Sequence, residues 1–328
     1  MKVKHLAIGV GILLGLAVVG VLVQRLSGSL SGAGDRVGKP LLESIDMDKA
    51  ARIELIGAGG KTTLASTPTG WVVEEQGKFP ADQGKLSSFL FKLNSEKLAF
   101  KVTENPAKLA ELGVLTAEEN SDKLEEHKTG ILFSILDAGG KPLYQLLVGK
   151  DRQPTTTTSA FGGQYVRFPG EKAAYLIGVT LFAETDSKEW IQKPVLAADA
   201  NKQFQRISVV RTEKAKPLVF SREKADSPWQ LDGATVRGLN TKEIENLAKR
   251  ISDLEIVQVA KGDAQPAALG RSKLATVEVQ SFNGPRYRYE IGEAKAADSY
   301  RYLSVSAALP ATVTDEALTI TWRAPWTA

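Results

Sequence analysis

The stretch "TGWVVEEQGKFPADQGKLSSFLFKLN", residues 69–94, decides the fold because its outline returns in "SPWQLDGATVRGLNTKEIENLAKRIS", residues 227–252. Each has a tryptophan, an apolar residue two positions on, a short polar passage and then an amphipathic run. Trp71 and Trp229 stand 158 positions apart, as do Leu86 and Ile244, Phe89 and Leu247, Leu90 and Ala248, and Leu93 and Ile251. In the first stretch Leu86, Phe89, Leu90 and Leu93 fall at i, i+3, i+4 and i+7, one apolar stripe along a helix over Asp82–Asn94. Pro80 and Asp82 are helix-start signals. The second stretch predicts a helix over Asn240–Leu254, with Asn240 as N-cap and Glu243 as its capping-box partner.

Upstream of the first helix, "RIELI", "GAGGK" and "TTLAS" read as strand, turn and strand from Arg52, and "WVVEE" as a third strand. Ala58-Gly59-Gly60 lacks the G-x-G-x-x-G spacing and no helical pattern follows it, so it is a hairpin turn rather than a phosphate loop. "ILDAGGKPLYQLLVG", residues 135–149, is a second hairpin of the same kind. Further landmarks recur with a spacing that falls from 158 to roughly 143 and then 136. "LAELGV" at 109–114 matches "PAALGR" at 266–271, "LLVGK" at 146–150 matches "YEIGE" at 289–293, and "YVRF" from Tyr165 matches "YRYLSV" from Tyr300. The falling shift places two extra loops in the first copy, "EENSDKLEEHK" at 118–128 and "DRQPTTTTSAFGG" at 151–163.

The expected fold class is therefore α+β. An N-terminal transmembrane helix precedes two tandem copies of an antiparallel sheet, each with one long packed helix. The expected boundaries are an anchor over 1–26, a linker over 27–44, and repeat domains over 45–196 and 204–328.

The anchor is read from "LAIGVGILLGLAVVGVLV", residues 6–23, which carries no polar or charged side chain. As a helix it would span roughly 27 Å, about the hydrocarbon thickness of a bilayer. Lys2 and Lys4 precede it and Arg25 follows, a bias that puts the N-terminus in the cytoplasm and the body outside. A cleaved signal peptide is the rival, but the apolar run is long for one and no clear A-x-A site follows. Gly11 and Gly15 make a GxxxG spacing suited to helix packing in the membrane. "SGSLSGAG", residues 27–34, is a flexible tether.

Cysteine is absent, which excludes disulfides and thiolate metal sites. The net charge is +4, with three of the cations flanking the apolar run, so no basic field remains for nucleic acid. The two histidines, His5 and His127, have no nucleophile or second ligand near them in sequence. Asp82, Glu74 and Glu75 read as a helix cap and a wet strand face before they read as a glycosidase pair. Glu118, Glu119, Glu125 and Glu126 lack a calcium-loop frame and read as a solvated charge run. Residues 155–158, "TTTT", read as a polar loop, and Trp71 and Trp229 as packing residues. Trp322 and Trp326, close to the C-terminus with Pro325 between them, are the candidate partner contact. No catalytic residue, cofactor or metal is expected.

These residues resemble the domain of unknown function 4340 family. The resemblance rests on Trp71, Pro80-Ala81-Asp82, Leu109 with Leu112-Gly113, Leu146–Lys150, Tyr165–Arg167, and Asp186 with Trp190. It covers residues 45–196 closely and 204–328 more loosely, since the second copy lacks the Pro-Ala-Asp motif. It implies a bacterial envelope protein with one membrane span, of a kind linked to ABC-type exporters as an extracytoplasmic auxiliary subunit. The expected function is a non-enzymatic scaffold or accessory subunit with an integral-membrane partner. The alternative is a periplasmic module binding a glycan or peptide between the repeats.

Overall fold

The computed structural model describes residues 36–42, 45–120, 128–152, 162–211, 215–233, 238–259, 275–282, 284–294, 301–308 and 326–327. The chain divides into two compact units, Met1–Ile191 and Gln192–Ala328. The expected anchor, with Gly11 and Gly15, lies outside the described residues. Among the described residues no helix is long and apolar enough to cross a membrane.

The first unit opens with β1 (Arg52–Gly57) and β2 (Gly60–Thr67), joined across Ala58-Gly59 with Gly57 opposite Gly60. β3 (Gly70–Val73) follows. The strand expected to run through Glu75 stops at Val73, because Glu74–Gln76 coil into a 3₁₀ turn. That turn folds Glu75 back to accept the Thr63 N–H at 2.8 Å. After the short β4 (Phe79–Pro80) comes helix α1 (Gln83–Ser95), then β5 (Phe100–Thr103). A second, short helix that the sequence pattern missed, α2 (Pro106–Glu111), occupies the "PAKLAE" stretch, with Asn105 as its cap. The unit closes with β6 (Ile131–Leu136), β7 (Pro142–Arg152), β8 (Gly163–Arg167) and β9 (Ala174–Ile177). The sheet order is β4-β3-β2-β1-β6-β7-β8-β9-β5, with every pair antiparallel.

The second unit contains β10 (Phe204–Val210), β11 (Leu218–Ser221), β12 (Gln230–Leu231), α3 (Thr241–Ser252), β13 (Gln258–Val259), β14 (Ala275–Ser281), β15 (Arg286–Ala294), β16 (Arg301–Ala308) and β17 (Trp326–Thr327). Its sheet order is β12-β11-β10-β14-β15-β16-β17-β13. Taken in chain order from the strand before each helix, this is the first sheet's order without β4. In both sheets the strand that follows the long helix crosses to the far edge.

The stripe on α1 buries Leu86, Phe89 and Leu93, while Leu90 is only half-buried. Beneath it, Ile53 and Leu55 of β1 stand beside Ile135 and Phe133 of β6, and Phe133 beside Leu146 of β7. All of these are fully buried. Phe89 meets Phe133 with ring centroids 5.1 Å apart. Burying one such side chain contributes about 1.5–3 kcal/mol. On α3 the buried apolar residues are Ile244, Ala248 and Ile251, the last two 158 positions from Leu90 and Leu93, while Leu247 is half-buried. The expected capping box is not formed: the Asn240 side chain makes no cap hydrogen bond, and the Glu243 N–H donates to the Asn240 carbonyl.

Candidate functional site: the apolar rim beside the end of the first helix

Most of the signature residues read from the sequence take part in building the first unit. Asp82 caps α1 by accepting the Lys85 N–H at 2.9 Å, and its own N–H donates to the Trp190 carbonyl at 2.8 Å. Trp190 is fully buried, packs edge-on against Phe89 at 5.7 Å, and donates its indole N–H to the Glu184 carbonyl. The Lys85 ammonium lies 4.9 Å over the same ring. Asp82 and Trp190 thus lock the closing turn, Ser187–Trp190, to the start of α1. Two other signatures explain each other. A Cβ on Gly149 would lie 2.4 Å from Val114 Cγ1 and 2.7 Å from the Leu112 carbonyl. Gly113 has φ +66° and ends the turn after α2, and the Lys150 N–H donates to the Leu112 carbonyl at 3.0 Å. The Leu-Gly step and the "LLVGK" strand are therefore two sides of one close backbone approach.

The carboxylates considered for catalysis are engaged elsewhere: Asp82 at the cap, Glu75 on Thr63, and Glu74 within 3.8 Å of Arg52. Glu119 is exposed, as the sequence suggested, but it also has a buried partner. It pairs with the Arg167 guanidinium, whose side chain is only 3 % exposed against 43 % for Glu119. Burial pushes the Glu119 carboxyl upward, but hydrogen bonds from Arg167 and the Thr116 N–H outweigh it and hold the group below its usual value. Arg167 lies at the end of β8, two residues from Tyr165, which packs on the satellite core of Leu109, Val114 and Ala174. This pair fastens the segment after α2 to the sheet. Among the described residues no cluster of three or more His, Asp or Glu side chains could hold a metal ion.

Trp229 is buried with the Arg222 guanidinium 4.7 Å over its ring, and Trp71 is half-buried with its carbonyl taking the Ala81 N–H, so both serve packing. The backbone of Trp326 lies in β17, opposite Leu303 of β16 and Val259 of β13. The Trp326 side chain, Trp322, His127, Glu125, Glu126 and residues 155–158 lie outside what is described.

The feature that the structure assembles and the sequence did not announce is an exposed apolar rim beside the C-terminal end of α1. Of the eight large apolar side chains exposed among the described residues, five fall here: Val37, Phe91, Phe100, Val102 and Phe182. The three phenylalanines are 65, 64 and 60 % exposed. Backbone bonds bring their segments together. Gly38 donates to the Leu98 carbonyl, Leu98 to Lys39, Leu41 to Glu96, and Leu42 to Leu93, at 2.8–3.1 Å. Phe100 pairs with Leu176 of β9, and the Gly178 N–H donates to the Glu96 carboxylate at 2.8 Å. Phe182 is held outward by its neighbours. Leu181 is buried with its N–H on the Gln164 side chain, and the Lys92 ammonium donates to the Thr180 carbonyl while lying 4.6 Å over the Phe182 ring. Phe182 adopts φ +53°, a conformation that costs a bulky residue about 1–3 kcal/mol. The surrounding bonds impose it on an aromatic ring left largely in water.

The rim includes a sheet edge, since among the described residues β5 has only β9 beside it. That edge is short, interrupted by a bulge between Lys101 and Thr103, and carries the Lys101–Glu104 ion pair. Such features oppose the addition of a further strand, which leaves face contact as the mode this rim suits. Only Phe91 had a signal in the sequence: it falls beside Lys92, off the stripe of Leu86, Phe89 and Leu93.

The architecture is that of a two-sheet, antiparallel chain whose signature residues are structural. The chain belongs to the family described as Domain of unknown function (DUF4340), whose model matches residues 71–273, more than half of its length. The match begins at Trp71 in β3 of the first unit and ends in the second, before β14. No curated protein and no solved structure matches the chain.

Proposed function

We propose that the protein is a membrane-anchored, extracytoplasmic accessory subunit of a membrane complex, acting by contact rather than by catalysis. The observation that carries this reading is where the chain leaves the first unit. Residues 36–42 are pinned by backbone hydrogen bonds to residues 93–98. Only residues 24–35 separate that fixed point from the uncharged apolar run at 6–23. Twelve residues reach at most about 40 Å when fully extended, so the anchor would hold the first unit close to the bilayer. The lysines before the run favour a body outside the cytoplasm. The resemblance stated above supplies the partner class, an ABC-type exporter. We also propose that the two units are copies of one domain, a reading supported by their shared strand order and by the 158-residue spacing of matched residues.

The test is crosslinking in native membranes followed by purification of the full chain in mild detergent. The expected result is co-purification of a polytopic membrane subunit of an ATP-driven transporter. Recovery of the chain without any integral-membrane partner would contradict the proposal.

A further inference from the structure

We infer that the apolar rim of the first unit is a membrane-seating surface, and that its occupant is the headgroup region of an anionic bilayer. The inference rests on the anchored reading above and adds to it the face that meets the lipid. Three observations converge. The first is position: Val37 lies within the segment through which the chain arrives from the apolar run, and that segment bonds directly to the stretch between Phe91 and Phe100. Val37 therefore stands beside the point of tethering, and a short tether keeps that part of the rim within reach of the lipid surface.

The second is composition. Aromatic side chains favour the membrane–water interface, where the ring lies among the headgroups, and here three exposed phenylalanines and two exposed valines stand on segments that hydrogen bonds join to one another. The third is charge. Lys39 and Lys97 stand exposed on the two paired segments, and Lys92 lies over Phe182. Glu104 and Glu171 are offset by Lys101 and Arg36, while Glu96, which accepts the Gly178 N–H, and exposed Glu184 keep their charge, so among the described residues the three lysines face two unpaired carboxylates. Basic side chains beside interfacial aromatics are the arrangement that anionic lipid attracts. The blunted β5 edge argues against a strand-adding protein partner at the same place.

The absence of cysteine makes the test clean, because single cysteines can be introduced for labelling. The full chain would carry an environment-sensitive fluorophore at Phe91→Cys, Phe100→Cys or Phe182→Cys. The control is Thr69→Cys, in the exposed turn between β2 and β3, beside the start of α1 and six strands from β5 in the sheet order. Each variant is reconstituted into nanodiscs of phosphatidylglycerol and phosphatidylcholine, with and without brominated acyl chains. Co-flotation with lipid reports the anchor, and fluorescence reports the rim. The expected result is a blue-shifted emission quenched by brominated lipid at all three rim positions and not at 69. Weaker quenching is expected in nanodiscs lacking phosphatidylglycerol and in the Lys39→Glu, Lys97→Glu double variant. Failure to co-float would overturn the anchor and this inference together. Co-flotation with rim probes no more quenched than the one at 69 would overturn this inference alone. A blue shift without bromolipid quenching would assign the rim to contact between copies of this chain and would also overturn it.

Discussion

Replacing Gly149 by alanine tests how the first unit is locked. The added methyl would lie 2.4 Å from Val114 Cγ1, 2.7 Å from the Leu112 carbonyl and 3.0 Å from the Gly113 carbonyl. Val114 is fully buried and has nowhere to turn. The Leu112 carbonyl is held by the Lys150 N–H at 3.0 Å and cannot retreat without loosening that bond. Overpacking of this kind costs about 1–3 kcal/mol, and the weakened backbone bond adds about 1 kcal/mol. The expected loss is thus about 2–4 kcal/mol. At about 2–4 °C per kcal/mol for a body of this size, the melting temperature should fall by roughly 5–15 °C. The assay is circular-dichroism melting of the full chain in detergent. Gly139→Ala is the control, since its methyl would meet only Asp137 Oδ1 at 3.4 Å, an ordinary contact. Adding Val114→Ala should not rescue Gly149→Ala, because the carbonyl contact at 2.7 Å persists. A Gly149→Ala chain that melts with the parent would refute the claim that the two signature segments are locked face to face.

Leu93→Ala and Ile251→Ala should each cost about 2–5 kcal/mol by denaturant unfolding, since both side chains are buried on the sheet-facing stripe of their helices. Lys92→Ala should cost about 1–2 kcal/mol, because it removes a charged bond to the Thr180 carbonyl and the contact over Phe182. By contrast Lys249→Ala, which loses only an exposed pair with Asp253, should melt with the parent. Glu119→Gln should cost about 1–3 kcal/mol at neutral pH, toward the low end because Glu119 is 43 % exposed and solvent screens the pair. Its carboxyl is held below its usual value, so its contribution is present above the unfolded value of about 4.3 and is lost as pH falls through the lower folded one. Melting curves of parent and Glu119→Gln should therefore converge in strong acid.

Elements specified by local pattern were legible in the sequence. The two hairpins at Ala58-Gly59 and Ala138-Gly139-Gly140 and the stripes of α1 and α3 are set by turn chemistry and by a 3.6-residue period, which one sequence displays. What the pattern missed depends on contacts distant in the chain. "WVVEE" reads as one strand, but the Glu75 carboxylate satisfies the Thr63 N–H and so ends the strand at Val73. Glu119 reads as a surface charge because its partner, Arg167, is 48 positions away. Lys92 reads as a solvated residue opposite the stripe, yet it reaches Thr180, 88 positions on. The rim was hidden for the same reason. Phe91, Phe100 and Phe182 come from a helix, a strand and a loop, and the antiparallel crossing of β5 to β9, with the Glu96–Gly178 and Lys92–Thr180 bonds, brings their segments together. The strain at Phe182 had no sequence signal, since nothing local requires a positive φ there.

The claim on which the functional account depends is that the body lies outside the cytoplasm behind a single span. Paired reporters fused after Ala328 test it most directly, one a phosphatase that is active only outside the cytoplasm, the other a fluorescent protein that matures only inside it. The account predicts an active phosphatase and a dark fluorescent protein, with the signal lost when residues 6–23 are deleted. A dark phosphatase with a bright fluorescent protein would place both units in the cytoplasm and contradict the account.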